Sequence, residues 1–201
     1  MDAISICKTL QKRGHEAYII GGAVRDKLMG LEPKDVDVVT SARPKEILKA
    51  FPGHKVSEVG KSFGVVIIGK TEVATYRKDR YAGFDDKAVD ISFADTLLED
   101  VSRRDLTINT MAMDPVTGEL IDHFNGREDL GKKIIRFVGN PIERIKEDPN
   151  RILRACRFAA KIGGEMDEPT ASALHACAGY VKQFVASERV HKEIMDAMNI
   201  K

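Results

Sequence analysis

Asp35 and Asp37 flank a single valine in the stretch KDVDVVT, shortly after the glycine pair Gly21–Gly22. The run alternates as a strand does, and on a strand side chains two apart share a face, roughly 6.5–7 Å from each other. This reading sets the two carboxylates side by side and turns Val36 and Val38 to the other face. Two like charges that close repel. A bound cation relieves them, and hard carboxylate oxygens suit Mg²⁺. Carboxylates holding such a metal are the equipment of phosphoryl and nucleotidyl transfer. The motif alone is weak, because a solvated strand edge carries the same residues.

The glycine pair adds a second piece. An apolar strand, EAYII, runs into Gly21–Gly22 and then into AVRDKLM, which reads as a short helix closed by Gly30. Strand, glycine turn and helix form a phosphate cradle, with bare backbone N–H groups facing an anion. The stretch has neither the GxGxxG of a dinucleotide fold nor the GxxxxGK[ST] of a Walker loop. Arg25 would add a contact to a triphosphate. Asp26 reads as a partner for Arg25 or Arg77.

The elements that must position these residues divide the chain. ISICKTLQKRG reads as an amphipathic helix ended by Gly14, and SARPKEILKAF as a helix capped by Ser41. FGVVIIG, TEVATYR and VDISF read as strands, with the polar run KDRYAGFDDKA between Arg77 and Val89 as a mobile loop. Residues 102–113 read as a helix. GELIDHF and KKIIRFV read as a strand and its return around the turn-rich NGREDLG. Beyond Gly139–Asn140–Pro141 the pattern is helical throughout: IERIKEDPNRILRACRFAAKIGG, EPTASALHACAGYVKQF and SERVHKEIMDAMNI. The expected organisation is a mixed α/β part over 1–137 and an all-α part over 138–201.

The 201 residues are 43% apolar and 31% charged, with a formal charge of +1, which argues for a packed core and against a global polyanion field. No apolar run approaches the roughly 20 residues of a membrane helix, and the N-terminus has no secretion-signal pattern. Cys7, Cys156 and Cys177 form neither a disulfide framework nor a zinc site, so a reducing cytoplasm is expected. The five histidines are scattered without ligand spacing. Met111, Met113 and Phe158 read as packing residues.

GGAVRD, DVDVVT, ATYR, RRDLTINTMAMD, GELIDHFNGREDL and EDPNRILRACRFA follow one another in a single order. This series resembles the class II tRNA nucleotidyltransferases (the CCA-adding enzymes) and the related bacterial poly(A) polymerases, from about Ala17 to Arg189. The resemblance implies a head domain of the DNA polymerase beta-like nucleotidyltransferase fold, a mixed sheet with flanking helices, followed by a helical neck. It implies Mg²⁺ as cofactor, CTP and ATP as substrates, and a tRNA 3′ end as acceptor, or other RNA for a poly(A) polymerase. Asp35 and Asp37 match the catalytic metal-binding pair, with Glu72 a candidate third carboxylate. Gly21, Gly22 and Arg25 match the triphosphate turn. Arg103, Arg104 and Asp105 match the ribose-recognising segment. Asp148 and Arg151 match a protein template for the incoming base, and Arg154 and Arg157 match arginines that help hold the nucleotide.

Chemistry supports such a template. Residues three apart share a helix face. A carboxylate can accept from the amino group of cytosine or adenine while a guanidinium donates to a ring acceptor. Uracil and guanine present a carbonyl instead. An ordinary surface ion pair is the plainer reading of the same spacing. Two departures from the family stand out: the segment 78–87 is acidic at AGFDDKA where the family carries a basic loop, and the chain ends where family members continue into body and tail domains. A fragment, or a part that needs a C-terminal RNA-binding partner, is therefore also expected to fit.

Overall fold

The computed structural model describes residues 1–53, 56–57, 64–81 and 89–200. The chain folds as two compact units: Met1–Arg80 with Asp90–Arg103 and Asn109–His123, and Tyr81–Val89 with Arg104–Ile108 and Phe124–Lys201. The second unit takes residues 124–137 and a five-residue loop, 104–108, together with the helices.

In the first unit a seven-stranded mixed sheet has the order β3(Val56–Ser57), β4(Val65–Ile68), β5(Thr71–Thr75), β2(Asp37–Thr40), β1(Ala17–Ile20), β8(Ala112–Met113), β9(Leu120–Ile121). Only β2 and β5 run parallel; the other pairs are antiparallel. Helices α1(Ala3–Gln11) and α3(Pro44–Ala50) supply the apolar layer over it. Ile6, Cys7, Leu10, Ile47 and Phe51 meet Val38, Val66, Ile68 and Val73 in one core. Burial pushes the Cys7 thiol up to about 12, so it behaves there as a small apolar side chain. Helix α2(Gly22–Leu28) follows β1, and α4(Leu97–Ser102) follows the two-stranded sheet of β6(Arg77–Tyr81) and β7(Val89–Phe93).

In the second unit α5(Gly126–Gly131) leads to β10(Ile134–Ile135), which pairs in parallel with β11(Glu165–Met166). Helices α6(Pro141–Glu147), α7(Asn150–Ile162), α8(Glu168–Cys177), α9(Gly179–Phe184) and α10(Ser187–Met198) make up the rest. Among the described residues no helix is long and apolar enough to cross a membrane. The three cysteines are free.

Several expectations are corrected. Helix α3 is capped by Arg43, not Ser41. Pro44 presets the first helical φ, and the Arg43 N–H donates to Glu46 at 2.7 Å. Ser41 instead accepts from the Glu16 N–H. The polar run after Arg77 begins as strand β6, while residues 82–88 of the expected loop lie outside the described residues. The helix expected over 102–113 ends at Ser102; a 3-10 turn at Thr107–Asn109 and β8 replace it. Met111 accepts from the Gly21 N–H at 3.0 Å, and Met113 registers with Ile19, so the segment is drawn into the sheet. NGREDLG is a helix entered through a left-handed Asn125, with Glu128 and Asp129 in its first turn. Consequently β9 pairs with β8 rather than with the KKIIRFV strand.

Candidate active site

Gly21 ends β1 at φ 71° and ψ −124°, a conformation that a side chain at this position would strain. That turn starts α2 and swings Arg25 inward. Arg25 is 3% exposed. Its Nε and Nη2 donate to Asp26 Oδ1 at 2.9 and 2.7 Å, and Nη1 donates to Asn109 Oδ1 at 2.5 Å. Asp26 is thus a partner of Arg25. A Cβ built on Gly22 would lie 3.5 Å from Arg25 Nη2, so the glycine turn and the guanidinium form one feature of the first unit.

The paired aspartates are placed differently from the expectation. Strand β2 begins at Asp37, and Asp35 precedes it in irregular chain. Both are exposed. The alternation survives: Val36 packs on the core and Val38 is buried within it, which turns the aspartates away from that layer. Asp37 lies opposite Ile20, the residue before the glycine turn. Val38 registers with Val73 in the parallel pair β2–β5, and Asp37 and Glu72 each precede that pair by one residue. Glu72 is also exposed. Among the described residues no three His, Cys, Asp or Glu side chains are gathered closely enough to hold a metal ion. Asp35, Asp37 and Glu72 therefore do not form a closed triad. Exposed, anionic oxygen donors nonetheless fit a hard divalent cation that keeps part of its water shell.

Arg103 also belongs to the first unit. Its Nε and Nη2 donate to Asp100 Oδ1 at 3.2 and 2.8 Å, and Nε donates to the Arg77 carbonyl. Asp100 is fully buried. A buried carboxylate must be paired to be tolerated, and Arg103 does this.

The second unit holds the remaining predicted residues. Arg104 is half-buried. Asp105 is 7% exposed and accepts from Arg154 Nε at 2.7 Å, with Nη2 at 2.6 Å. This forked pair on one carboxylate ties the loop 104–108 to α7. Arg154 and Arg157 both lie over the Phe158 ring, 5.5 and 4.3 Å from its centroid. Phe158 is buried, so it packs and carries a cation–π contact at once.

Asp148 and Arg151 do not share a helix face. Pro149 lacks an N–H and separates α6 from α7, leaving Asp148 extended at φ −152°. Its Oδ1 accepts from the Asn150 N–H at 3.1 Å and its Oδ2 from Arg189 Nη2 at 2.8 Å. Arg151 donates instead to Glu147 Oε2 at 2.6 Å and to the Arg144 carbonyl. Neither the shared face nor the i,i+3 ion pair is present. Glu147 is bridged by Arg144 as well; burial pushes its carboxyl up, against the pull of the two arginines.

Residues 17–136 match the family described as the Poly A polymerase head domain. The chain belongs to that family. Similar curated proteins are the CCA-adding enzymes of Anoxybacillus flavithermus, 40% identical over 196 residues, and Oceanobacillus iheyensis, 41% identical over 198 residues. These matches cover 95% and 96% of this chain and 48% of each relative. The chain spans about half the length of the curated relatives it matches. Among solved structures, the Bacillus stearothermophilus CCA-adding enzyme in complex with CTP has a TM-score of 0.86 at 36% identity, over 97% of this chain and 47% of that one. A tRNA nucleotidyltransferase complexed with a primer tRNA and an incoming ATP analog has a TM-score of 0.76 at 36% identity, over 94% and 55%. The mixed sheet with flanking helices is thus the head architecture of these proteins.

Within this head-domain family member, sequence reasoning missed Asn109, Glu147, Arg189 and Glu193. Glu147 and Arg151 stand four apart in EDPNR, a legible pairing distance that the proline interrupts without abolishing. Glu193 is 7% exposed and accepts from Asn150 Nδ2 and Arg157 Nε at 3.1 and 2.6 Å. Nothing in its local sequence marks it, because its partners lie about forty residues away.

Proposed function

We propose that this chain is the nucleotide-handling part of a Mg²⁺-dependent, template-independent RNA nucleotidyltransferase. It adds C and/or A from CTP and ATP to the 3′ end of tRNA and releases pyrophosphate. The observation that carries this reading is the exposed pair Asp35 and Asp37, set at the head of a buried central strand beside the Gly21–Gly22 turn. The names of the relatives and the CTP and ATP-analog complexes of its structural neighbours support the substrate class.

In the proposed reaction the terminal 3′-OH attacks the α-phosphorus of the nucleotide, and pyrophosphate leaves. Asp35 and Asp37 would hold the divalent cation, with Glu72 a further candidate. When bound, that cation supplies charge neutralisation at the phosphates and activation of the attacking oxygen. The chain's own work is positioning. Gly21, Gly22 and Arg25 take the triphosphate side. Arg103, Arg104 and Asp105 take the ribose. Asp148 and Arg151 read the base edge, with Arg154 and Arg157 holding the nucleotide beside them. The end of the family match at residue 136 supports a head domain over 1–137 and a neck over 138–201. The free cysteines fit a cytoplasmic enzyme.

The family's own description favours a second reading, a poly(A) polymerase acting on other RNA. Product length separates the two: one to three added residues, or a long ladder. Because the chain spans about half of its curated relatives, a third reading is a nucleotide-binding part that turns over only with a C-terminal RNA-binding partner. Incorporation of labelled CTP by the chain with and without the C-terminal half of a relative tests it. Turnover only in the mixture supports that reading, and turnover by the chain alone rejects it.

A further inference from the structure

Helix α10 lies against α7 in the second unit through ion pairs rather than through apolar packing alone. Glu193 anchors it. Its carboxylate takes Asn150 Nδ2 and Arg157 Nε, and Arg154 Nη1 stands 3.9 Å away. The commitment has a visible cost: turning the Asn150 amide nitrogen to Glu193 leaves its Oδ1 buried without a hydrogen-bond partner among the described residues. Native folds rarely tolerate such a group without a reason. One turn before Glu193, the same helix presents Arg189 to Asp148 Oδ2 at 2.8 Å.

That second contact has little structural purpose. Arg189 is 51% exposed and Asp148 27%, and ion pairs this open contribute little to stability. Its effect is local. The Asn150 N–H takes Oδ1 and Arg189 takes Oδ2, one donor on each oxygen, so the plane of the carboxylate is pinned. An ionised carboxylate offers about four acceptor positions, so both oxygens keep a lone pair for a further donor, held in a set direction.

We propose that Arg189 is a positioning residue for base selection, fixing the orientation in which Asp148 meets the amino group of cytosine or adenine. The proposal rests on the reading of Asp148 as part of the base-reading pair. Glu193 holds α10 in register, and Arg189 uses that register to set Asp148. Selectivity for C and A over U then depends on a side chain from a different helix than the one that bears the base-reading arginine.

The test is equilibrium binding of CTP, ATP and UTP to the whole 201-residue chain, for the wild type, Arg189→Ala and Arg189→Lys, with the melting temperature of each. The wild type is expected to prefer CTP and ATP over UTP. Arg189→Ala is expected to lose about tenfold of that preference at an unchanged melting temperature, and Arg189→Lys to regain most of it. A purely structural role would move the melting temperature and leave the preference. A wild type without preference overturns base reading by this chain, and the proposal with it. A wild-type preference that Arg189→Ala retains overturns the role of Arg189 alone.

Discussion

Charge pairing, residue by residue, decides what each predicted side chain can do. Arg25, Arg103, Arg151, Arg154 and Arg157 all donate to carboxylates in this structure. These bonds preorganise the guanidinium planes, so that under the proposed function less rotamer freedom would be lost on binding a nucleotide. Asp105 carries one such bond deep in the second unit. Asp105→Asn removes the charge opposite Arg154, whose side chain is 33% exposed. We expect a loss of about 1–3 kcal/mol, less than a fully buried pair would cost, read as a lower urea midpoint with an unchanged slope. Asp35 is exposed, so Asp35→Ala should move stability by less than about 0.5 kcal/mol in the same measurement.

Elements fix where those residues stand, and two can be tested through their ends. Thr96 caps α4 with Glu99 in a reciprocal box: the Thr96 hydroxyl accepts from the Glu99 N–H, and Glu99 accepts from the Thr96 N–H. Thr96→Ala should cost about 1 kcal/mol, measured by chemical denaturation. Lys78 also bonds Glu99. This bond, with the Asp95 N–H, lowers the Glu99 carboxyl from 4.5 to about 2. A lowered carboxylate stabilises the fold above its unfolded value and ceases to as pH falls through the folded one. The wild type should therefore lose stability relative to Glu99→Gln between about pH 4.5 and 2, and denaturation midpoints across that range check it. Gly164 tests the turn into β11. A Cβ there would collide with the Lys133 carbonyl oxygen, so Gly164→Ala forces backbone apart and should cost about 1–3 kcal/mol, seen as a lower melting temperature.

Elements also show how far the sequence was legible. Periodicity located α1, β1, α2, β4, β5 and α10, because in each the apolar spacing and the ending glycine or turn agree. It failed where a distant partner decides. Residues 107–113 have a helical look, yet β8 pairs them with β1. NGREDLG looks like a turn, yet its acidic first turn and left-handed Asn125 start a helix. The same limit applies to the site. The aspartates, the glycine turn and the arginines of α7 stood out as candidates by type and spacing. Glu193 and Arg189 did not, since their meaning comes from docking α10 on α7. Asp148 and Arg151 were expected on a shared helix face, and they are not on one because Pro149 breaks the helix between them.

At the scale of the whole molecule, the chain consists of two units whose sequence segments interleave. The carboxylate pair and glycine turn belong to one, and the proposed base readers to the other. The loop 104–108 carries the chain from the first unit into the second and back, which places Arg103 and Arg104 on either side of that crossing. In the proposed function, Asp35 and Asp37 hold the metal at which nucleotides are joined to tRNA ends. The most direct measurement is incorporation of each labelled NTP, with Mg²⁺, into tRNAs ending before the first C, after CC and in full CCA. Wild type and Asp35→Ala/Asp37→Ala are compared, and the C-terminal half of a relative is supplied where the chain alone is silent. The proposed function predicts addition of C and/or A, but not U or G, by the wild type, and at least a 100-fold loss in the double variant, about the size of effect expected when transition-state charge stabilisation is removed. Incorporation that survives in the double variant would contradict it.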